Sequence, residues 1–184
     1  CLVGSEMCIR DRSRNSVRNI TAHLLEKGCT LPGFMGDIGY AQSNRERYEG
    51  FCQALMDAGK TPNPSLCLTT PLGIDSYREE IDSFLSSLSR MPDAFVCASD
   101  YVACILMQLL EKRGLRVPED VAVSGFDNNI EDLLAENLTT VQVFNEELGS
   151  RLALQILYRI KYPHTPHEVT YLESKVLYRA STGD

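Results

Sequence analysis

Three polar stations in the chain each follow an apolar, strand-like run. Arg47 lies in the helical stretch SNRERYEGFCQAL (43–55), reached from the run LPGFMG (31–36). Ser99 and Asp100 follow DAFVCA (93–98), and Asp127 and Asn128 follow DVAVSGF (120–126). A guanidinium offers N–H donors in a planar fork and a carboxylate offers acceptors, so Arg47 beside Asp127 suits a hydroxyl-rich ligand. Open α/β sheets bind ligands outside the carboxyl ends of their strands, which is where all three stations fall. The two charges meet at one edge if the runs 31–36 and 120–126 belong to one sheet. Ser43, which would cap the helix carrying Arg47, is carried as a further candidate contact. Each residue also has a plain alternative as a helix cap or turn former. Spacing alone leaves both readings open.

Signatures of catalysis are absent. The chain has no GxSxG, no phosphate-binding P-loop, no GxGxxG and no HExxH. His23 lies mid-helix, where a structural or surface role is the ordinary one. The many carboxylates show no spacing that singles out a general acid and base. Seven cysteines occur, Cys1, Cys8, Cys29, Cys52, Cys67, Cys97 and Cys104, an odd number without CxxC. Such a set makes neither a disulfide framework nor a zinc site, and Cys67, Cys97 and Cys104 sit in apolar runs as buried thiols would. No metal and no cofactor is expected, and a reducing cytoplasm fits. The net charge of −7 over 184 residues lacks the footprint of a domain that itself grips nucleic acid. No apolar run approaches the roughly 20 residues a membrane span needs.

Helical and strand periods alternate from Ser13 onward. Val17, Ile20, Leu24 and Leu25 share a helical face that stops at Gly28. Ser43 with Glu46, and Ser76 with Glu79, form capping-box patterns opening two further helices. Strands are expected at 31–36, 65–70, 93–98, 120–126 and 138–143, with two more near the end in EVTYLES and KVLYRAS. A helix over 145–160, opened by Asn145, carries the stripe Leu148, Leu152, Ile156 and Ile160. Strands alternating with helices predict a mostly parallel, doubly wound sheet covered on both faces, and an α/β fold. The stretch CLVGSEMCIRDR (1–12) is similar to translated adapter sequence and is set aside as non-native.

The residues also carry a resemblance. GLRVPEDVAVSGFDN (114–128) resembles a hallmark of the LacI/GalR family of bacterial transcriptional regulators. Around it, in family order, stand AHLLEKG (22–28), SNRERYEGFCQAL (43–55), PDAFVCASDYVA (92–103) and NLTTVQVFNEELGSRLALQIL (137–157). The resemblance covers essentially the whole chain from Ser13 to Thr182.

The resemblance implies an effector-binding core like the type I periplasmic binding proteins. Residues 13–142 would form the subdomain distal to DNA. Residues 143–173 would cross into the DNA-proximal subdomain, and 174–184 would return. The arginine of RxRxxG and the aspartate of GFD reach the effector in the family and match Arg47 and Asp127, while Ser99 stands where many members have a polar contact. The implied ligand is a small polar effector, a sugar or a nucleobase-like molecule. Two departures stand out: Cys29 follows Gly28 where histidine is frequent, and Val143-Phe144-Asn145 replaces the usual QPY or QPF. Operator DNA would be reached only through a helix-turn-helix outside this chain. A homodimer would use the helix YVACILMQLLEKRG, around Cys104 and Met107, with Leu133 and Leu134. The alternatives are a periplasmic-type solute-binding protein of a sugar transporter, which needs a secretory signal, and an enzyme on the same fold.

Overall fold

A computed structural model describes residues 8–73, 76–129, 136–166 and 168–184. Four parallel strands make the central sheet, in the order β3-β2-β4-β5: β2 (Pro32–Met35), β3 (Cys67–Leu68), β4 (Ala94–Cys97) and β5 (Ala122–Ser124). Phe34 pairs with Cys67 on one side and Val96 on the other, and Phe95 pairs with Val123. All eight residues of β2 and β4 are buried, the mark of central parallel strands covered on both faces.

Helices supply the two covers. On one face, α1 (Ser13–Glu26) and α2 (Gln42–Asp57) bring Val17, Ile20, Leu24, Phe51 and Leu55 onto Phe34, Val96 and Phe126. On the other, α3 (Tyr77–Ser87) and α4 (Asp100–Lys112) bring Ile81, Leu85, Leu106 and Leu110 onto Met35, Phe95 and Val123. The doubly wound α/β architecture expected from the pattern is therefore present.

The sheet continues past β5. Gly125 N donates to Thr139 O at 2.8 Å and Asp127 N to Val141 O at 3.1 Å, leading into β6 (Thr140–Gln142). From there the chain makes an excursion through α5 (Asn145–Lys161) and β7 (Val169–Leu172), then returns as β8 (Lys175–Leu177), antiparallel to β6. β7 pairs in parallel with β1 (Cys8–Asp11), so part of the segment set aside as non-native forms a strand here.

Local chemistry differs from expectation at several ends. The strand expected over 65–70 shrinks to Cys67–Leu68, because Pro64–Leu66 form a 3-10 turn whose cap, Asn63, accepts from Ser65 N. Ala41, not Ser43, occupies the N-cap of α2, and no side chain caps it. Ser76 does take the cap position of α3, but its hydroxyl goes to Glu80 rather than to a backbone amide. Phe144 precedes α5 without a side-chain cap, so Asn145 starts that helix without capping it.

Candidate functional site

The carboxyl ends of β2, β4 and β5 meet at one edge, and the buried Arg47 side chain reaches it from the second turn of α2. Nη1 donates to the carbonyl oxygen of Ala98, at the end of β4. Nη2 donates to Oδ1 of Asp127 at 3.1 Å, just past β5. The guanidinium carbon lies 3.6 Å from the centroid of the Phe126 ring. Arg47 and Asp127 are thus brought together as the spacing required. The side chain of Arg47 is 9% exposed and that of Asp127 29%, so the pair opens outward on the carboxylate side.

One feature of Arg47 distinguishes it from a core ion pair. Its Nε is buried with no hydrogen-bond partner among the described residues. An orphaned buried donor costs about 1–3 kcal/mol. The face of Phe126 offsets part of the cost of burying the charge through its ring quadrupole.

The turn carrying Asp127 is held from behind. Asp127 and Asn128 have φ of 105° and 48°, a region that costs non-glycine residues about 1–3 kcal/mol and persists only where the surroundings hold it. The enforcing group is Asp100, 1% exposed at the start of α4. Its carboxylate accepts from Thr140 Oγ1 at 2.6 Å and from backbone amides of the turn, at Asn128, Asn129 and Phe126. Burial raises its pKa above the usual carboxylate value, and those hydrogen bonds oppose the rise. A Cβ on Gly125 would stand 2.3 Å from Asp100 Oδ1, which leaves room there only for glycine.

The other candidates fall nearby. Ser99 is half-buried and caps α4, its Oγ accepting from Val102 N at 3.3 Å, so the cap alternative holds for it. Ser43 is half-buried, one turn before Arg47 on the same face of α2. Around the edge, Tyr101 is 55% and Tyr40 79% exposed, and Tyr77 meets Tyr101 edge to face at 5.6 Å. Asp37 shapes the loop after β2, accepting from Gly39 N at 2.7 Å and Tyr40 N at 3.0 Å. Sequence reasoning missed Asp100 as a clamp, Phe126 as a platform and the tyrosines. An acidic residue right after an apolar strand was the one available signal for Asp100. Of the proposed dimer residues, Cys104 is already 7% exposed within its own chain, Met107 is half-buried, and Leu133 and Leu134 lie outside the described residues. Among the described residues, no group of three or more His, Cys, Asp or Glu is placed to hold a metal.

With this geometry in place, the relatives can be read. The model of a periplasmic binding protein-like domain matches residues 21–182. The chain belongs to that family, in the form of a LacI/GalR effector-binding domain. It is 29% identical to the HTH-type transcriptional repressor PurR of Aliivibrio salmonicida (strain LFI1238) over 94% of this chain and 52% of that protein. Its fold superimposes on a LacI-family transcriptional regulator from Sanguibacter keddieii DSM 10542 with a TM-score of 0.82 and 27% identity, covering 96% of this chain and 66% of that one. Against the transcriptional regulator CelR–cellobiose complex the TM-score is 0.84 at 26% identity, covering 97% and 56%. The chain spans about half the length of the curated relatives it matches. Among the described residues, no helix is long and apolar enough to cross a membrane.

Proposed function

We propose that this chain is the effector-sensing part of a cytoplasmic LacI-type transcriptional regulator, and that it binds and does not catalyse. The ligand is a small hydroxyl-rich molecule, a sugar in the first instance, held between Arg47 and Asp127 with Ser99 and Ser43 beside them. The observation that carries this reading is the buried Arg47 guanidinium at the carboxyl edge of the sheet, stacked on Phe126, paired with Asp127 and with an Nε–H that no described residue accepts. A folded core has no use for such an arrangement, whereas a binding edge does. The cellobiose bound to the CelR regulator supports the choice of ligand class. Residues 13–142 form the distal subdomain in this reading, 143–173 cross to the proximal one, and 174–184 return. Ligand binding changes the affinity of a DNA-binding domain for its operator, which requires different contacts in two arrangements of the subdomains.

The experiment is a thermal-shift screen with ribose, glucose, cellobiose and purine bases, followed by calorimetry on variants. Arg47→Ala and Asp127→Ala are each expected to weaken the best hit by about 1.5–3 kcal/mol, the worth of a charge-assisted hydrogen bond. Affinity within about twofold of the parent, with a lowered Tm, would assign both residues to structure alone. The same reading includes a homodimer through α4. Since Cys104 is covered within its own chain, Met107 is the contact to test, and sedimentation as a monomer at micromolar concentration would remove the dimer.

A further inference from the structure

Asp127 shares its turn with Asn128, whose side-chain amide is used at both ends. Nδ2 donates to Oε1 of Gln142. Oδ1 accepts from Nη2 of Arg179 at 3.0 Å. Gln142 is the last residue of β6, where the chain leaves for α5 and β7, and Arg179 lies two residues past β8, where it has come back. β6 and β8 are paired, with Gln142 opposite Lys175. Asn128 is therefore tied to the outgoing and the returning strand at once.

Both partners are themselves anchored. Gln142 Nε2 donates to Val143 O at 2.9 Å, on the way to α5. Arg179 Nη1 donates to Leu138 O at 3.0 Å, and its backbone N to Thr139 Oγ1 at 2.7 Å. Asn128 N lies 3.3 Å from Thr140 Oγ1, the hydroxyl that Asp100 holds. An amide bonded at both ends has little slack, so a rotation of the 127–128 turn must strain or break one arm. Two successive residues at positive φ restrict that turn to a few discrete arrangements. A discrete element biased from two sides is what coupling between distant parts requires.

We propose that Asn128 is a positioning residue that couples Asp127 to both crossing strands, so that a change at the Arg47–Asp127 pair is felt at Gln142 and Arg179. This rests on the reading of Asp127 as the effector carboxylate, and gives that site its regulatory output. The backbone bond from Asp127 to Val141 reaches the outgoing strand, and the returning one only through the pairing of Val141 with Val176. Asn128 and Arg179 give Asp127's turn a direct side-chain path to the returning chain.

The test is amide hydrogen exchange on this chain, without any ligand, in four forms: the parent, Asp127→Asn, Asn128→Gly and the double variant. Glycine suits a φ of 48° and removes the amide without adding backbone strain. Asp127→Asn discharges the pair and is expected to speed exchange at 140–143 and 177–179 about fivefold or more. In the Asn128→Gly background the same change should move exchange at 177–179 less than about twofold. Effects of equal size in both backgrounds would overturn the proposal. Arg179→Lys keeps the charge and loses the fork, and should uncouple 177–179 while leaving 140–143 responsive; loss at both, or at neither, counts against the two-armed arrangement. If Asn128→Gly does not fold, Gln142→Ala replaces it, with uncoupling expected at 140–143 beyond what the Val141 bond carries and an unchanged response there as the negative. No effector enters the measurement. A negative result here leaves the effector reading standing, and a failed effector screen leaves this result standing.

Discussion

The sheet-bearing region and the excursion through α5 and β7 have similar apolar content in sequence and opposite fates in the fold. Phe34, Phe95, Phe126, Leu106 and Val123 are fully buried between the two helix layers. In α5 the order is inverted: Leu154 and Leu157 are each 63% exposed and Ile160 73%, while Gln155 is buried, its Oε1 without a hydrogen-bond partner among the described residues. β7 likewise exposes Val169 and Tyr171. Periodicity tells that a stretch is a helix with an apolar face; it does not tell whether anything lies against that face. Burial in the first region comes from layers on both sides of the sheet, whereas α5, among the described residues, lies mainly against β1, with Leu148 touching the edge of the core. The expected stripe of Leu148, Leu152, Ile156 and Ile160 is split accordingly, its first two members half-buried and its last two exposed.

Substitutions can sharpen this contrast. The largest effect is expected for Phe95→Ala, at 0% exposure, which should cost about 3–5 kcal/mol in chemical denaturation. A cost below that of an ordinary surface change would mean the sheet region is not the stable unit. Next is Gly36→Ala. Its new Cβ would lie 2.2 Å from the Cβ of Ala98, and overpacking of this kind costs about 1–3 kcal/mol. Because the Ala98 carbonyl also holds Arg47, the same variant should weaken ligand binding.

Asp100→Asn should act mainly through pH. Burial raises the folded-state pKa of Asp100, so the folded chain holds this proton more tightly than the unfolded one. The contribution is therefore most favourable at low pH, and is lost as pH rises from the usual carboxylate value through the raised one. Parent and variant compared across a pH series should differ in that window, with the parent gaining relative to the variant as pH falls. A constant difference would show that Asp100 does not titrate differently on folding. The smallest effect belongs to Leu157→Ala in α5, within about 0.5 kcal/mol of the parent. A loss of several times that would show that its exposed face is covered in solution.

Much of the fold and part of the site could be read from residue order. Strand runs such as DAFVCA stood out because parallel central strands are apolar on both faces, and the Arg47–Asp127 meeting followed once two such runs shared a sheet. The capping box misled at Ser43, because the turn after β2 is shaped by Asp37, while Ser76 does begin α3 but bonds Glu80 in place of a backbone amide. The roles of Asp100, Gln142 and Arg179 were illegible for a different reason. They depend on contacts 14 to 51 residues away in sequence, and no local period records those.

The backbone at Asp127–Asn128 also bears on how this protein can change. Two neighbouring residues on the positive side of φ admit glycine, asparagine and aspartate, and reject β-branched side chains whatever ligand is in play. A saturation library at these two positions, sorted for any new ligand, would return that short alphabet again. The backbone of this turn constrains which side chains it can carry. In the proposed reading, new specificities would have to be found at positions with ordinary backbone and exposed side chains, such as Tyr101 and Tyr40.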